Sequence, residues 1–121
     1  MLLIQRKNEP FKHKWAFPGG FVGVNEKLVK AYQRELKEET NLHIKLNQFE
    51  FLNIFDDIHR DPRSRTISIA FTCLINKKVE AVARDDAALA KWFKLDRVNT
   101  NDLAFDHSKI LDLAKKHHHL H

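Results

Sequence analysis

Residues 20–42, GFVGVNEKLVKAYQRELKEETNL, constrain this chain more than any other stretch. Between positions 26 and 40 there is no Gly and no Pro, and most residues are Glu, Lys, Leu, Ala, Gln or Arg. Such side chains lose little freedom in a helix. The composition therefore predicts a helix over residues 26–40, with Asn25 as its N-cap. Leu28, Tyr32 and Leu36 recur every four residues and form an apolar stripe, which needs another layer to cover it. Glu35 and Glu39 lie one turn apart, with Glu38 beside that edge. The helix is expected to crowd three carboxylates next to the stripe that faces the core.

Like charges at this spacing cost roughly 0.2–0.5 kcal/mol per pair, and Arg34 and Lys37 can offset part of that. A solvated acidic face is one reading of such a run. A hard cation is the other, because Mg²⁺ takes carboxylates together with substrate phosphate oxygens. There it polarises a phosphoryl oxygen and lowers the pKa of water. The preceding Pro18-Gly19-Gly20 favours the second reading. Pro-Gly is ordinary turn chemistry, but glycines also take positive φ and let backbone approach closely.

Gly20, Glu26, Arg34, Glu35, Leu36, Glu38, Glu39 and Leu42 stand at fixed spacings. The pattern resembles the box of the Nudix hydrolases, which cut a diphosphate linked to another moiety using divalent metal and water. So many matched positions make a specific motif, where a lone Gly pattern would be weak. The resemblance implies Mg²⁺ or Mn²⁺ as cofactor. It implies metal ligation by Glu35, Glu38, Glu39 and the Gly19 carbonyl, and catalysis by the same glutamates. Gly20, Glu26 and Arg34 take structural roles, with Glu26 and Arg34 pairing to hold the loop against the helix. Two positions depart from the pattern. Asn41 replaces the last box Gly, and Asn is the next most tolerant residue at a left-handed helix end. Gly23 stands where many members carry Glu, which bears on the number of metals. Glu38 is one candidate for the base that activates water. Asp85 and Asp86 are others, although both also suit a turn and a helix cap.

Elsewhere, residues 2–6 read as a strand and 15–17 as a short one. Residues 43–55 read as extended, 56–65 as a charged loop and 66–75 as the most apolar strand. Residues 76–86 carry turn signals and a short strand, and 92–95 form another strand. Asp106 is expected to cap a final helix through residue 116, with Ile110, Leu113 and Ala114 inward. The mixed order predicts an α/β fold, an α/β/α sandwich with a mixed sheet, which is also the Nudix fold. Residues 1–116 form the single Nudix hydrolase domain on this reading. Residues 117–121 form a His-rich tail, whose metal binding would be incidental. The resemblance also implies a strand ahead of Leu2, so this chain starts where relatives are already within the fold.

A chain of 121 residues with 43% hydrophobic content supports one packed core. The lone Cys73 excludes an intrachain disulfide and suits a reducing compartment. No apolar run approaches the roughly 20 residues that cross a bilayer, and Met-Leu-Leu-Ile at the start is too short for a signal-peptide core. A cytoplasmic protein without a membrane partner is expected. The net charge of +5 is spread along the chain. Without a basic-aromatic array it does not point to nucleic acid, and a small phosphate-bearing nucleotide explains it equally well. Dimers are common in the resembling group, so a homodimer is compatible, although no interface is legible.

Residues 14–22, 60–70 and 103–107 resemble the matching stretches of ADP-ribose pyrophosphatases. They also resemble the Nudix halves of fusions with nicotinamide-mononucleotide adenylyltransferases. The expected reaction is hydrolysis of ADP-ribose to AMP and ribose 5-phosphate. In the Arg60-Asp-Pro-Arg-Ser-Arg65 loop, Arg63 and Arg65 are expected to bind substrate, with Arg6 as a lesser candidate. Guanidinium forks suit bidentate phosphate contacts, and a solvated turn is the alternative. Trp15 and Phe17 either stack on adenine or pack in the core. Competing functions are hydrolysis of another nucleotide, such as an oxidised nucleoside triphosphate, and ligand sensing. Sensors of this kind are transcription regulators that bind ADP-ribose derivatives through a degenerate box and carry a winged helix.

Overall fold

The protein is described here from a computed structural model, in which residues 1–75 and 87–120 are described. Strand β1 (Leu2–Arg6) is the centre of the larger sheet. It pairs antiparallel with β2 (Trp15–Ala16) on one side and β5 (Ala87–Trp92) on the other. Successive strand residues face opposite sides of a sheet. Leu3 and Ile4 are both buried and accordingly serve two different cores. Ile4 packs with Ala16, Ala87 and Ala104. Leu3 packs with Leu103 and with Leu111 of helix α2 (His107–His117). A parallel bridge joins Trp15 to Leu103, which makes the sheet mixed. Strands β3 (Glu50–Phe55) and β4 (Ser68–Thr72) form a second, antiparallel sheet with an irregularity between Phe51 and Asn53. Helix α1 (Leu28–Thr40) lies between β2 and β3 in the chain. These sheets and helices make the α/β sandwich expected from the sequence.

Several boundaries differ from the expectation. Helix α1 begins at Leu28, with Lys27 at the N-cap and no capping side chain, so Asn25 does not cap it. Glu26 stays outside the helix because its carboxylate is taken by Gly23 N–H and by Arg34. The Leu28, Tyr32, Leu36 stripe is only partly buried, and the buried helical residues are Ala31, Glu39 and Thr40. Tyr32 is anchored by its hydroxyl, which donates to the Ile69 carbonyl. Strand β2 stops before Phe17, whose N–H turns to a side chain instead of the ladder. Residues 46–48 form a short 3-10 turn, so β3 is shorter than the extended run 43–55. Strand β4 is likewise shorter than 66–75, and Cys73 lies half-buried just beyond it. Strand β5 precedes the expected 92–95 strand, and Leu95–Arg97 is a 3-10 turn. The short strand expected within 76–86 lies outside the described residues. The His-rich run begins within α2 and packs on the second sheet. His117 Nε2 meets a Glu50 carboxylate oxygen at 2.7 Å, and His118 Nε2 meets the Thr72 hydroxyl at 2.8 Å.

Helix α1 ends as the sequence suggests. Asn41 takes φ 63° and ψ 16°, and its N–H donates to Lys37 O at 2.8 Å. Left-handed backbone costs an L-residue about 1–2 kcal/mol, least for Asn and not at all for Gly. Asn41→Gly is expected to be neutral or mildly stabilising, and Asn41→Val to lower stability by about 1–2 kcal/mol. Thermal melts of the three proteins test this, and a Val variant as stable as the parent would refute it.

Candidate functional site

The Gly-Gly loop and α1 are tied together through Arg34. Its Nη2 donates to Glu26 Oε1 at 2.7 Å and to Phe21 O at 3.0 Å, and its Nε donates to Glu26 Oε2 at 3.0 Å. Its Nη1 donates to Glu35 Oε1 at 2.7 Å and to Glu38 Oε2 at 3.1 Å. One guanidinium thus faces the loop with one edge and two helix carboxylates with the other. The Arg34 hydrogen bonds, followed by the Gly23 N–H, hold the Glu26 carboxyl down at about 2. The contribution of that pairing to stability is fully present above the ordinary carboxyl value of 4.5 and is lost as pH falls through about 2. Glu26, foremost, and Glu35 push the Arg34 pKa up.

Gly20 lets the Glu35 carboxylate approach closely. A Cβ at that position would meet that carboxylate and make it shift. Positive φ plays no part, because none of the three glycines adopts it. Gly19 N–H donates to Glu39 Oε1 at 2.8 Å, and Glu39 is buried. The three helix glutamates therefore do not crowd into one cluster. Glu35 and Glu38 share Arg34, while Glu39 turns to the loop. Among the described residues, no three side chains of His, Cys, Asp or Glu form a ready-made metal centre. The donors still suit a hard divalent cation. They are carboxylate oxygens on one helix edge, and those of Glu35 and Glu38 already converge on a single cationic nitrogen.

A cavity of about 1200 Å³ runs past this edge, and its wall includes Gly19, Gly20, Glu35, Glu38, Glu39, Arg6, Arg63 and His107. Arg63 is held by the Asp61 carboxylate, through Nε at 3.1 Å and Nη2 at 2.8 Å. That pairing, foremost, lowers the Asp61 pKa and raises that of Arg63. Arg6 Nε donates to Pro10 O at 2.8 Å. The Arg6 and Arg63 guanidiniums lie 4.8 and 5.3 Å from the Phe105 ring centroid. Arg65 is not brought to the cavity wall, and its Nη1 donates to Asp57 O at 3.3 Å. Trp15 packs edge-on against Phe93, the core alternative, while Phe17 stacks on His107. Asp85 and Asp86 lie outside the described residues.

Arg60 and Asp106 carry roles that sequence reasoning did not assign. Arg60 Nε and Nη2 donate to the two Asp106 oxygens at 2.9 and 2.7 Å, and Nη1 donates to the Ser68 hydroxyl at 2.7 Å. Asp106 stands at the N-cap of α2 but makes no side-chain cap bond, because Arg60 claims its carboxylate. The pair is separated by 46 residues, and no local pattern could have revealed it. Its side chains are 4% and 10% exposed, so removing one charge strands the other. Asp106→Asn is expected to lower stability by about 3–5 kcal/mol. Urea denaturation measures this, and a loss well under 1 kcal/mol would mean that solvent screens the pair.

Comparison with known proteins follows the same lines. A family model described as the NUDIX domain matches residues 1–114. An ADP-ribose pyrophosphatase of Methanocaldococcus jannaschii is 45% identical over 111 residues, covering 92% of this chain and 63% of the relative. The chain thus spans less than two thirds of that relative's length. A bifunctional NMN adenylyltransferase/ADP-ribose pyrophosphatase of Francisella tularensis, solved with AMP and a Mn ion, is 32% identical with a TM-score of 0.84. That match covers 96% of this chain and 37% of the other. The NUDIX domain of Shewanella oneidensis NrtR, solved with ADP-ribose, is 29% identical with a TM-score of 0.87, covering 96% of this chain and 75% of that one.

Proposed function

The chain belongs to the Nudix family, and on that premise we propose that it hydrolyses ADP-ribose to AMP and ribose 5-phosphate. The observation that carries this reading is a single cavity lined both by the α1 glutamates and by Arg6 and Arg63. The identity to an ADP-ribose pyrophosphatase supports the substrate, as do relatives solved with ADP-ribose and with AMP. In the reaction, water adds across the diphosphate. One P–O bond of the bridging oxygen breaks, the water oxygen becomes part of one product phosphate, the bridging oxygen stays on the other, and the two water protons go one to each monophosphate or to solvent as these ionise.

Glu35, Glu38, Glu39 and the Gly19 carbonyl would hold a divalent cation, Mg²⁺ or Mn²⁺. When bound, such a cation neutralises phosphoryl oxygens and supplies Lewis acidity. Arg63, with a bidentate-capable fork at the cavity, and Arg6 beside it would hold the diphosphate. Asp61 orients Arg63 by gripping one edge of its guanidinium. Arg65 would join only if its loop moved. Glu38, more exposed than Glu35, is the reading's base for the proton of the attacking water.

A second reading, ligand sensing, is favoured by the likeness to NrtR. The intact Glu35, Glu38 and Glu39 favour catalysis over it. A panel of ADP-ribose, NADH, diadenosine polyphosphates and oxidised dGTP, with Mg²⁺ or Mn²⁺ and chromatographic product analysis, separates the readings. ADP-ribose is expected to be the preferred substrate, and binding without turnover would assign the sensor class. Glu39→Gln is expected to lower turnover by orders of magnitude without unfolding, and chelator to abolish it. Full turnover in chelator would refute metal dependence. Arg63→Ala removes a charge-assisted contact worth about 1.5–3 kcal/mol, so kcat/KM is expected to fall roughly tenfold or more. Arg65→Ala should change it less.

A further inference from the structure

The run Leu103-Ala-Phe-Asp-His107 extends the sheet with a side chain. Leu103 bridges to Trp15, and Ala104 N–H donates to Trp15 O at 2.7 Å. The next contact in line comes from the His107 ring, whose Nδ1 accepts Phe17 N–H at 3.0 Å. A ring nitrogen that accepts carries no proton, so a neutral imidazole here is protonated on Nε2. Burial, the largest influence, outweighs the Asp106 charge and, with the Arg60 and Arg6 charges, holds the His107 pKa down to about 4 and keeps the ring neutral.

Nε2 has no hydrogen-bond partner among the described residues. No buried side-chain nitrogen or oxygen among them lacks one. The Nε2 atom is therefore not fully buried, and His107 belongs to the cavity wall. Its direction is fixed, because the ring is stacked on Phe17 at 5.7 Å and tilted against Phe105 at 5.8 Å. Phe105 takes φ 51°, a conformation unfavourable for a bulky residue, and it carries the Arg6 and Arg63 guanidiniums over its ring.

We propose that His107 is a substrate-binding residue that donates Nε2–H to a diphosphate oxygen of the nucleotide. The inference rests on the reading of this cavity as a nucleoside diphosphate site. Beside two guanidiniums an anionic oxygen is the matching acceptor, and an N–H to an ionised oxygen is the stronger kind of bond. The neutral ring adds direction without adding charge. His107 also holds Phe17, two residues before Gly19, whose own N–H is fixed on Glu39. A diphosphate at His107 is thereby kept in register with the carboxylate edge.

Two variants separate this role from a purely structural one. Asn at 107 can keep the acceptor for Phe17 N–H but has no donor at the Nε2 position. Gln reaches the Nε2 position with its amide donor. Calorimetric titration with the non-hydrolysable methylene analogues of ADP-ribose and of inorganic diphosphate, both with Mg²⁺, reads affinity without turnover. His107→Asn is expected to bind either ligand about tenfold or more weakly at an unchanged melting temperature. His107→Gln is expected to stay within about threefold of the parent. In ¹⁵N spectra of the unaltered protein, the His107 Nε2–H resonance is expected to shift when diphosphate is added, a result that needs no variant. Parent-like binding by the Asn variant would overturn the proposal. Equal weakening of both folded variants, or an unmoved Nε2–H resonance, would do the same. If the parent bound the diphosphate analogue but not that of ADP-ribose and the variants kept their order, the substrate reading would fall and the role of His107 would stand. If the parent bound neither, the proposal would fail.

Discussion

The candidate site depends first on the guanidinium of Arg34. It is the shared partner of Glu26, Glu35, Glu38 and the Phe21 carbonyl, and so it joins the Gly-Gly loop to helix α1. A planar fork with donors on two edges can do this, whereas a lysine ammonium is a single point on a flexible stem. Gly20 belongs to the same device. Glu35 occupies the space that a side chain at position 20 would need. The spacing of Gly20, Glu26, Arg34 and Glu35 thus corresponds to contacts made between one loop and one helix.

A second set of ion pairs builds the other part of the cavity wall from residues far apart in the chain. Arg60 reaches Asp106 and Ser68, and Lys109 Nζ reaches Asp57 Oδ2 at 2.8 Å. These contacts hold the loop between β3 and β4 against the start of α2. The two pairs differ in kind. Lys109 and Asp57 are both largely exposed and contribute little to stability. Arg60 and Asp106 are desolvated, so either one alone is a buried charge. By claiming the N-cap carboxylate, Arg60 also fixes the segment from which Phe105 and His107 project.

What the sequence made legible follows from the range of the interactions concerned. The helix over most of 26–40 and the left-handed Asn41 depend on neighbours a few residues away. Those are the interactions that composition and spacing encode. The Glu26–Arg34 pairing was legible only through the resemblance to the box. Helix α1 starts late and buries Glu39 because of tertiary partners, Arg34 for Glu26 and the Gly19 N–H for Glu39. Strand β2 ends early because His107, 90 residues on, takes the Phe17 N–H. The displacement of β5 toward Ala87 has the same origin, since its register is set by β1 at the opposite end of the chain. His107 could have been noticed only through its place in the 103–107 run, because a lone histidine carries no spacing signal.

The charge arrangement itself bears on the chemistry. Arg34 faces three carboxylates, those of Glu26, Glu35 and Glu38, and one guanidinium cannot neutralise three, so this group of side chains is net negative. A diphosphate is also negative. Two like unit charges about 4 Å apart repel by about 4 kcal/mol at the effective dielectric of a protein surface. Arg6 and Arg63, gathered at Phe105, favour the anion on one part of the wall but leave the carboxylate edge hostile to it. In the proposed function the α1 carboxylates would hold a divalent cation, whose charge would offset the conflict. The same reasoning explains why a neutral donor at His107 is useful. In that proposal the arginines would already supply the attraction there, and Arg63 is partly offset by Asp61. A directed N–H can fix which oxygen of the diphosphate faces the glutamates, and that orientation is something net charge alone cannot provide.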